Sequence, residues 1–326
     1  MPDLTTKYLK LKLKNPIIVG SSGLTKSADK LKACEDAGAG AVVLKSLFEE
    51  ALSQQDNGID ATAAFHTEVY EYLRAEIGMQ HGPRDYCDII EKAKRQVKIP
   101  VIASINCVSA RWWPSFAQQI EAAGADALEL NVFTTATDVS QDSAEIEKIY
   151  FDIIETVKAK IRIPVALKIG MYFTALPHFA VQLDRHGVDG LILFNRFTEP
   201  DIDIEKIKLQ TTFSFSKKED LHRPLRWIAL LSGKVGCDLC ATTGIQSGAD
   251  VIKMLLAGAS AVQLASVLYK NGLEVIPKML SEIEDWMARH QFARPDDFIG
   301  KLNFKQTTAP DMYLRAQFME KIRGVE

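Results

Sequence analysis

Polar side chains that could bind a charged ligand recur where short apolar segments of the sequence end. They are Ser22, Lys45, Ser46, Ser104, Asn131, Lys168 and Asn195. Burying two ammonium groups is costly unless each is paired, and Glu129 could pair with Lys168 or Lys45. Pairing alone does not explain why the polar residues collect at one end of the segments. We therefore interpret them as a site for a group that becomes electron-rich and anionic.

A second set of residues has the composition of a phosphate site. Thr242–Ser247 and Ala265–Ser266 place small residues between a strand-like segment and a helix-like segment. Backbone N–H groups in such turns, with helix N-termini behind them, bind anions; the alternative is that Ser247 is an ordinary helix cap. Together the two sets predict a phosphate-bearing cofactor whose ring lies over the two lysines and Asn131.

The chemistry of the lysines leaves two classes of function open. Cations beside uncharged amides suit a ring that gains negative charge, as reduced flavin does near N1 and C2=O. The same lysines permit a Schiff-base aldolase in which Lys168 is the nucleophile. Spacing alone does not separate these interpretations.

Internal repeats define the elements that must position these residues. Ala-Gly, or His-Gly at the third copy, followed by an apolar run begins at 37, 123, 186 and 257, and a phrase such as Lys98-Ile99-Pro100 alternates with it. The repeats predict eight strands at about 17–22, 41–46, 100–106, 127–132, 164–169, 190–195, 237–242 and 261–266. Strand–helix units repeated eight times predict an α/β fold, a single (β/α)8 TIM barrel. A doubly wound sheet would instead need GxGxxG after the first strand, and Gly20–Leu24 does not match.

The chain is longer than a plain barrel requires. We expect residues 1–285 to form the barrel, with insertions at about 47–98 and 196–225, and residues 286–326 to form a helical tail that packs on it. The alternating segment Leu209–Phe215 predicts a hairpin within the second insertion. Both insertions leave C-terminal strand ends, so we expect them beside the site.

Composition limits the partners. With 39 Lys+Arg against 42 Asp+Glu the net charge is −3, which argues against nucleic acid as the main partner. The N-terminus lacks a signal-peptide pattern and no apolar run approaches the ~18 residues of a spanning helix, so we expect no membrane contact and a cytoplasmic location. Five cysteines without an export signal favour a reducing compartment, and we interpret Cys237 and Cys240 as inert thiols in a strand.

Six motifs in order carry a resemblance to a known family. They are Asn15-Pro16 leading to Ser21-Ser22-Gly23, Val43-Leu44-Lys45-Ser46, Glu129-Leu130-Asn131, Val165-Ala166-Leu167-Lys168, Asn195, and Thr242-Thr243-Gly244-Ile245 with Ala265-Ser266. Over about residues 4–303 the chain resembles the dihydroorotate dehydrogenase family of FMN-dependent barrels. The resemblance implies FMN contacts from Ser22, Gly23, Lys45, Ser46, Ser104, Asn131, Lys168, Thr243, Gly244, Ala265 and Ser266. It implies substrate contacts from Lys45, Asn131 and Asn195.

The same resemblance implies the reaction. In the family, dihydroorotate is oxidised to orotate for pyrimidine biosynthesis: substrate C6 gives a hydride to flavin N5 while a base removes the C5 proton. Lys168 would stabilise the reduced flavin, and Lys45 and Asn131 would orient a small-molecule substrate. The resemblance also implies a homodimer. Some family members transfer electrons to a partner subunit with an iron–sulfur cluster, and because the cysteines of this chain are not arranged to bind a cluster, any cluster would lie on that partner.

The substrate motifs depart from the family pattern. Thr134 stands at the position of the base, where the family has Cys or Ser, and Ala136 stands where a substrate Asn is expected. Arg196 follows Asn195 where a small hydroxyl residue is usual. Thr134 and Lys45 are the predicted catalytic residues. Because a threonine hydroxyl is a poor base, Cys107, Asp138 and His81 stay open as alternatives.

These departures keep three other functions open. The chain could be a flavin enzyme for another ring substrate or an aldolase-type barrel that uses Lys168. It could also be a non-catalytic relative that holds FMN without turnover.

Overall fold

The computed structural model describes residues 2–48, 83–107, 113–132, 134, 136–196, 199–212 and 214–314. The strands are β1 (Thr6–Tyr8), β2 (Leu11–Leu13), β3 (Ile17–Val19), β4 (Ala41–Val43), β5 (Leu47–Phe48), β6 (Val101–Cys107), β7 (Ala127–Val132), β8 (Val165–Ile169), β9 (Gly190–Leu193), β10 (Glu199–Asp203), β11 (Lys208–Thr212), β12 (Asp238–Thr242) and β13 (Ala261–Leu264). The helices are α1 (Ala28–Asp36), α2 (Pro83–Gln96), α3 (Trp113–Ala122), α4 (Ser143–Lys158), α5 (Leu176–Arg185), α6 (His222–Leu231), α7 (Gly248–Ala257), α8 (Ser266–Asn271), α9 (Val275–Arg289) and α10 (Asp311–Leu314).

Eight parallel strands close into a ring. The ring follows chain order through β3, β4, β6, β7, β8, β9, β12 and β13, and β13 pairs with β3. Strands such as β9 and β13 are buried at every position, because their inner faces fill the barrel and their outer faces contact helices. The predicted (β/α)8 barrel is confirmed, with strand bounds within a few residues of those expected from the repeats.

The antiparallel hairpin of β1 and β2 closes the N-terminal end of the barrel. Tyr8, Leu9 and Leu13 are buried among the inward-facing residues of the ring. Position 190 carries glycine because a Cβ atom there would lie 2.7 Å from Leu9 Cδ2. The hairpin therefore seals the end of the barrel opposite to the predicted site.

Repeated carboxylates explain part of the sequence repeat. Glu35, Glu121 and Asp184 lie in the last turns of α1, α3 and α5. Each accepts hydrogen bonds from two backbone N–H groups just before a strand of the ring, which is β6, β8 and β12, respectively. The donors are Lys98 and Ile99, Arg162 and Ile163, and Gly236 and Cys237, respectively. These contacts satisfy N–H groups at strand entrances that would otherwise be unpaired. The repeats thus fix the N-terminal face and leave the C-terminal strand ends for other residues.

The two expected insertions contain secondary structure. β5 and α2 lie within 47–98, and residues 49–82 fall outside the described residues. In the second insertion, β10 and β11 form a hairpin with Glu199 opposite Thr212 and Asp203 opposite Lys208. The predicted hairpin is confirmed, but its first strand begins about ten residues earlier than the alternating pattern.

The C-terminal segment packs through aromatic contacts. Helix α9 runs through residue 285, where we expected the barrel to end and the tail to begin. Trp286 lies with its ring centroid 5.6 Å from Phe292 and 5.0 Å from Phe298, and the Phe304 N–H donates to Ala229 O. In the described part of the chain, no helix is long and apolar enough to cross a membrane.

Candidate active site

A polar network crosses the barrel at the level of β7, β8 and β13. Gln263 Nε2 donates to Glu129 Oε2 at 2.5 Å, and Lys168 Nζ donates to Gln263 Oε1 at 3.4 Å. Lys168 Nζ also lies 3.8 Å from Glu129 Oε1, with side chains only 14% and 2% exposed. Of the two lysines considered from the sequence, Lys168 is therefore shown to pair with Glu129. The network holds the ammonium group inside the barrel.

Three serine hydroxyls from neighbouring strand ends form a hydrogen-bonded chain. Ser46 Oγ lies 2.9 Å from Ser21 Oγ and 2.8 Å from Ser104 Oγ, and the Ser46 N–H donates to Ser21 Oγ at 2.8 Å. The adjacent half-buried Lys45 is held through its backbone N–H, which donates to Thr25 O at 3.2 Å. The chain of hydroxyls fixes the Lys45–Ser46 segment at the C-terminal end of the ring.

Tyr86 on α2 supplies hydrogen bonds to β6 at the point where the segment after β4 leaves the sheet. Between the pairings Val43–Ile102 and Leu47–Ile105, the backbone of Ser104 has no strand partner on that side. The Tyr86 hydroxyl donates to Ser104 O at 3.0 Å and accepts from Ser104 N at 2.8 Å. One side chain thus replaces two hydrogen bonds that a neighbouring strand would make. Residues Lys45 and Ser46 can therefore lie outside the sheet without leaving the Ser104 backbone unpaired.

Asn131 on β7 presents a buried acceptor. Its register partners are Asn106 on β6 and Lys168 on β8. Asn131 Nδ2 donates to Asn106 Oδ1 at 2.5 Å, while Asn131 Oδ1 is buried and accepts no hydrogen bond from the described residues. A buried carbonyl without a donor costs about 1–3 kcal/mol. Asn131 is therefore ready to accept a hydrogen bond from a ligand.

The turn after β12 is built around left-handed backbone. Thr243 has φ +77° and Gly244 has φ +78°. A Cβ atom on Gly244 would lie 2.2 Å from Leu221 N, so glycine is required for the contact with the short helix before α6. Ser247 Oγ accepts from Asp250 N at 3.3 Å. Ser247 thus caps α7, which is the ordinary role that the sequence left open.

A cavity of about 140 Å³ opens between this turn and the end of β13. It is lined by six of the predicted site residues, Lys168, Asn195, Thr243, Gly244, Ala265 and Ser266. Lys168 and Arg196 are its charged residues among those the structure describes, and both are cations. Ser266 Oγ accepts from the N–H of Ser216, which also lines the cavity. The charge and the small residues suit an anionic phosphate group.

The remaining predicted residues lie at the same end of the ring but do not line this cavity. Ser22 Oγ accepts from Leu24 N at 3.3 Å and so caps the short helix Gly23–Thr25. Gly23 packs closely on α8, since a Cβ atom there would lie 2.7 Å from Tyr269 Oη. Lys45, Ser46, Ser104 and Asn131 lie on or beside the second to fourth strands of the ring, as described above.

The candidate bases differ in their surroundings. Thr134 Oγ1 is buried and makes no hydrogen bond to the described residues. Burial raises the pKa of the neighbouring Tyr150 to about 12, although the nearby polar groups of Thr134 act to lower it. Asp138 is exposed, and hydrogen bonds from the Ser140 side chain and backbone lower its pKa, which weakens it as a base. The Cys107 side chain and His81 lie outside the described residues.

The two cysteines of the CxxC pattern are protonated thiols. Cys240 lies on β12 in the barrel interior, and burial raises the pKa of Cys240 and that of Cys237. Within the part of the chain that the structure covers, no three His, Cys, Asp or Glu side chains are placed to hold a metal ion.

Two residues of this site were not predicted. Gln263 is a lone polar residue in an apolar strand, and that isolation is a signal that could have identified it. Tyr86 belongs to the region expected to be an insertion, where its sequence context carried no comparable signal.

Comparisons with known proteins identify the family to which the chain is similar. A family model for dihydroorotate dehydrogenase matches residues 3–287. The dihydroorotate dehydrogenase B (NAD(+)) catalytic subunit of Thermoplasma acidophilum is 26% identical over 309 residues, which cover 92% of this chain and 99% of that protein. The catalytic subunit of the same name from Methanocaldococcus jannaschii is 27% identical over 288 residues, covering 86% of this chain and 92% of that protein.

A relative with a different name matches at lower identity. The chloroplastic dihydropyrimidine dehydrogenase (NADP(+)) of Arabidopsis thaliana is 21% identical over 358 residues, covering 100% of this chain and 83% of that protein. The family model spans most of the chain and the barrel carries the expected polar strand ends. The protein therefore belongs to the dihydroorotate dehydrogenase family, whose members are flavin-dependent oxidoreductases that act on CH–CH groups.

Proposed function

We propose that the protein binds FMN and oxidises dihydroorotate to orotate, a step of pyrimidine biosynthesis. The observation that carries the proposal is the position of Lys168. Its ammonium group is paired with Glu129 inside the barrel and also lines the cationic cavity beside Thr243 and Gly244. The Lys168 side chain thus lies beside the candidate phosphate site, and Lys168 is the register partner of Asn131 on the neighbouring strand.

The residues present fit FMN in three respects. The cavity at the ends of β12 and β13 carries two cations and no described carboxylate, which suits a phosphate. Asn131 Oδ1 is a buried acceptor without a donor, which suits the N–H edge of a ring. Lys168 supplies a positive charge for the edge of the ring that gains electrons. FMN, when bound there, would supply the acceptor for the hydride of the substrate.

The side chains of this protein would bind and orient the substrate and move one proton. Lys45, Asn131 and Asn195 are proposed to hold the substrate, and Lys168 to stabilise negative charge on the cofactor. Thr134 is proposed to accept the substrate proton as its own hydroxyl proton passes to the oxygen of the neighbouring Tyr150 hydroxyl, so that Thr134 ends as a neutral hydroxyl. Burial keeps Tyr150 protonated at neutral pH, so as its oxygen accepts the threonine proton its own proton must pass on to solvent, and Tyr150 acts as a relay that ends neutral.

A partner subunit is also proposed. Two of the relatives are named as catalytic subunits of an NAD-linked enzyme, which implies a second subunit in those proteins. A redox partner of that kind would take electrons from this chain, and we propose in addition that the chain forms a homodimer. Size-exclusion chromatography with light scattering would measure the mass of the assembly.

The test is an anaerobic spectrum of the purified protein. We expect the absorbance of bound oxidised flavin, and its loss when dihydroorotate is added. Dihydrouracil, which lacks the carboxylate, is the matched control and should leave the spectrum unchanged. A protein that neither carries nor takes up FMN would disprove the cofactor. Bleaching by dihydrouracil alone would assign another ring substrate, and trapping of Lys168 by borohydride with a carbonyl substrate would indicate an aldolase.

A further inference from the structure

A second cavity, of about 230 Å³, adjoins the one assigned to the cofactor phosphate. The two cavities share the wall formed by Phe194, Asn195, Arg196 and Thr243. A ligand held over the strand ends can therefore extend from one cavity into the other. The residues beyond the shared wall come from the segments after β8 and β11.

The second cavity is cationic. Arg196, Lys217 and Arg223 line it, and Asp220 is the single carboxylate among its described lining residues. That carboxylate is already engaged, because Asp220 Oδ2 accepts from Lys217 N at 2.8 Å. None of the three cations forms an ion pair with a residue that the structure describes. Three cations against one carboxylate give the described lining a formal charge of 3 − 1 = +2, so an anion entering the cavity would meet net positive charge.

Arg196 is held at the junction of the two cavities. Its guanidinium donates to Ser214 O, and its Nη2 donates to Ser214 Oγ at 2.8 Å. These contacts fix the side chain against the chain that leaves the hairpin. A guanidinium has five N–H donors in a planar fork that matches a carboxylate. Two of the five contact Ser214, and the others make no hydrogen bond to described residues.

Resting on the proposed function, we propose that this second cavity binds the carboxylate of the ring substrate, with Arg196 as its principal ligand and Lys217 and Arg223 as supporting cations. The resemblance predicts a substrate asparagine at position 136, and this chain has alanine there. The cationic cavity offers contacts to an anionic group that do not involve position 136. An acidic ring would gain charge-assisted hydrogen bonds from these exposed cations that a neutral dihydropyrimidine cannot form, so we expect the cavity to prefer acidic rings.

The test measures binding to the FMN-loaded protein by calorimetry and by the flavin difference spectrum. Two acids are each compared with a neutral counterpart, orotate with orotamide and nicotinate with nicotinamide. We expect the wild type to bind the acids about tenfold or more tightly than the amides. Because Arg196 also lines the phosphate cavity, its variants are measured at FMN concentrations that keep the site saturated; Arg196→Gln should then remove most of the preference for acids, and Arg196→Lys should retain part of it. Lys218→Gln is the matched control, because Lys218 neighbours Lys217 but does not line the cavity.

Each outcome decides between the subsite and the function. Equal affinity for acids and amides, no binding of any of the four, or equal losses in Arg196→Gln and Lys218→Gln would overturn the subsite. If the acid preference is lost in Arg196→Gln but dihydroorotate fails to reduce the flavin, the subsite stands and the proposed function fails. If dihydroorotate reduces the flavin and the acids show no preference, the function stands and the subsite fails.

Discussion

Lys168 and Glu129 form an ion pair inside the barrel, with Nζ 3.8 Å from Oε1 and Gln263 hydrogen-bonded to both side chains. β7 and β13 are the fourth and eighth strands of the ring, so the Glu129–Gln263 hydrogen bond spans the barrel. The carboxylate partly compensates the lysine charge, and the amide limits the movement of both groups. The electrostatic effect of Lys168 on a bound cofactor therefore depends on Glu129.

Replacing that carboxylate should make the bound flavin easier to reduce. In Glu129→Gln the hydrogen bond to Gln263 can remain, while the charge that compensates Lys168 is lost. At an effective dielectric of about 20, a unit charge contributes about 4 kcal/mol at 4 Å and less at longer distances. We expect a more positive midpoint potential in a spectroscopic redox titration. Asp285→Asn on α9 is the exposed control, and an unchanged potential in Glu129→Gln would exclude this role.

The hydroxyl of Tyr86 should contribute more to stability than that of a surface tyrosine. Tyr86→Phe leaves both backbone groups of Ser104 unpaired in the sheet, at a cost of about 1–3 kcal/mol. Tyr313→Phe also removes one hydrogen bond, to Leu302 O, but at a more exposed position where water can replace it. Urea unfolding of the two variants measures the difference. Equal losses would show that Tyr86 does not substitute for the sheet ladder.

Alanine substitutions at two glycines distinguish the effect of backbone strain from that of a close contact at the predicted phosphate turn. Gly244 and Gly233 have φ +78° and +79°, but a Cβ atom would meet Leu221 N at 2.2 Å in the first and only Lys305 Cδ at 4.0 Å in the second. Alanine should therefore cost about 1 kcal/mol from strain at both positions. Only Gly244→Ala should also weaken FMN binding, by about tenfold or more. Similar FMN affinity in both variants would place the phosphate elsewhere.

Asp189 should make stability depend on acid pH. Burial alone raises its pKa, but hydrogen bonds from Lys10, Lys158 and the Val165 N–H lower it below the usual value. Its contribution is thus complete above the unfolded pKa of about 3.9 and is lost as the pH falls through the lower folded value.

We expect Asp189→Asn to cost about 2 kcal/mol at neutral pH, with the difference from wild type shrinking below about pH 4. Asp152→Asn breaks a surface pair with Lys148 and should cost less than about 1 kcal/mol. Urea unfolding across pH measures both variants. A pH-independent difference for Asp189→Asn would contradict the linkage.

The hydroxyl of Thr134 is tested by its effect on flavin reduction. General base catalysis contributes about 10²–10⁴-fold, so Thr134→Ala should slow reduction by dihydroorotate at least about 100-fold in stopped flow. Thr137→Ala lies in the same segment and is exposed, and it should react like the wild type. A rate within about threefold of wild type for Thr134→Ala would remove this residue as the base.

The barrel and its polar strand ends follow from the sequence because both depend on local patterns. A glycine before an apolar run predicts a strand, and alternation along a strand places Glu129 and Asn131 on the same face without knowledge of neighbouring strands. The positions of Lys168 and Thr243 at strand ends follow in the same way. The structure confirms the positions of these residues at the C-terminal end of the ring.

The partners of these residues were decided by the tertiary structure. Gln263 reaches Glu129 only because the ring closes and places the fourth and eighth strands opposite each other, 134 positions apart in the chain. Tyr86 binds Ser104 from a helix that the sequence assigned to an insertion, and Arg196 reaches Ser214 across the hairpin. Such contacts depend on closure of the sheet and on loop paths, which residue spacing along the chain does not specify. The sequence therefore determined which side chains face the site, whereas the fold determined what charge and hydrogen bonds surround them.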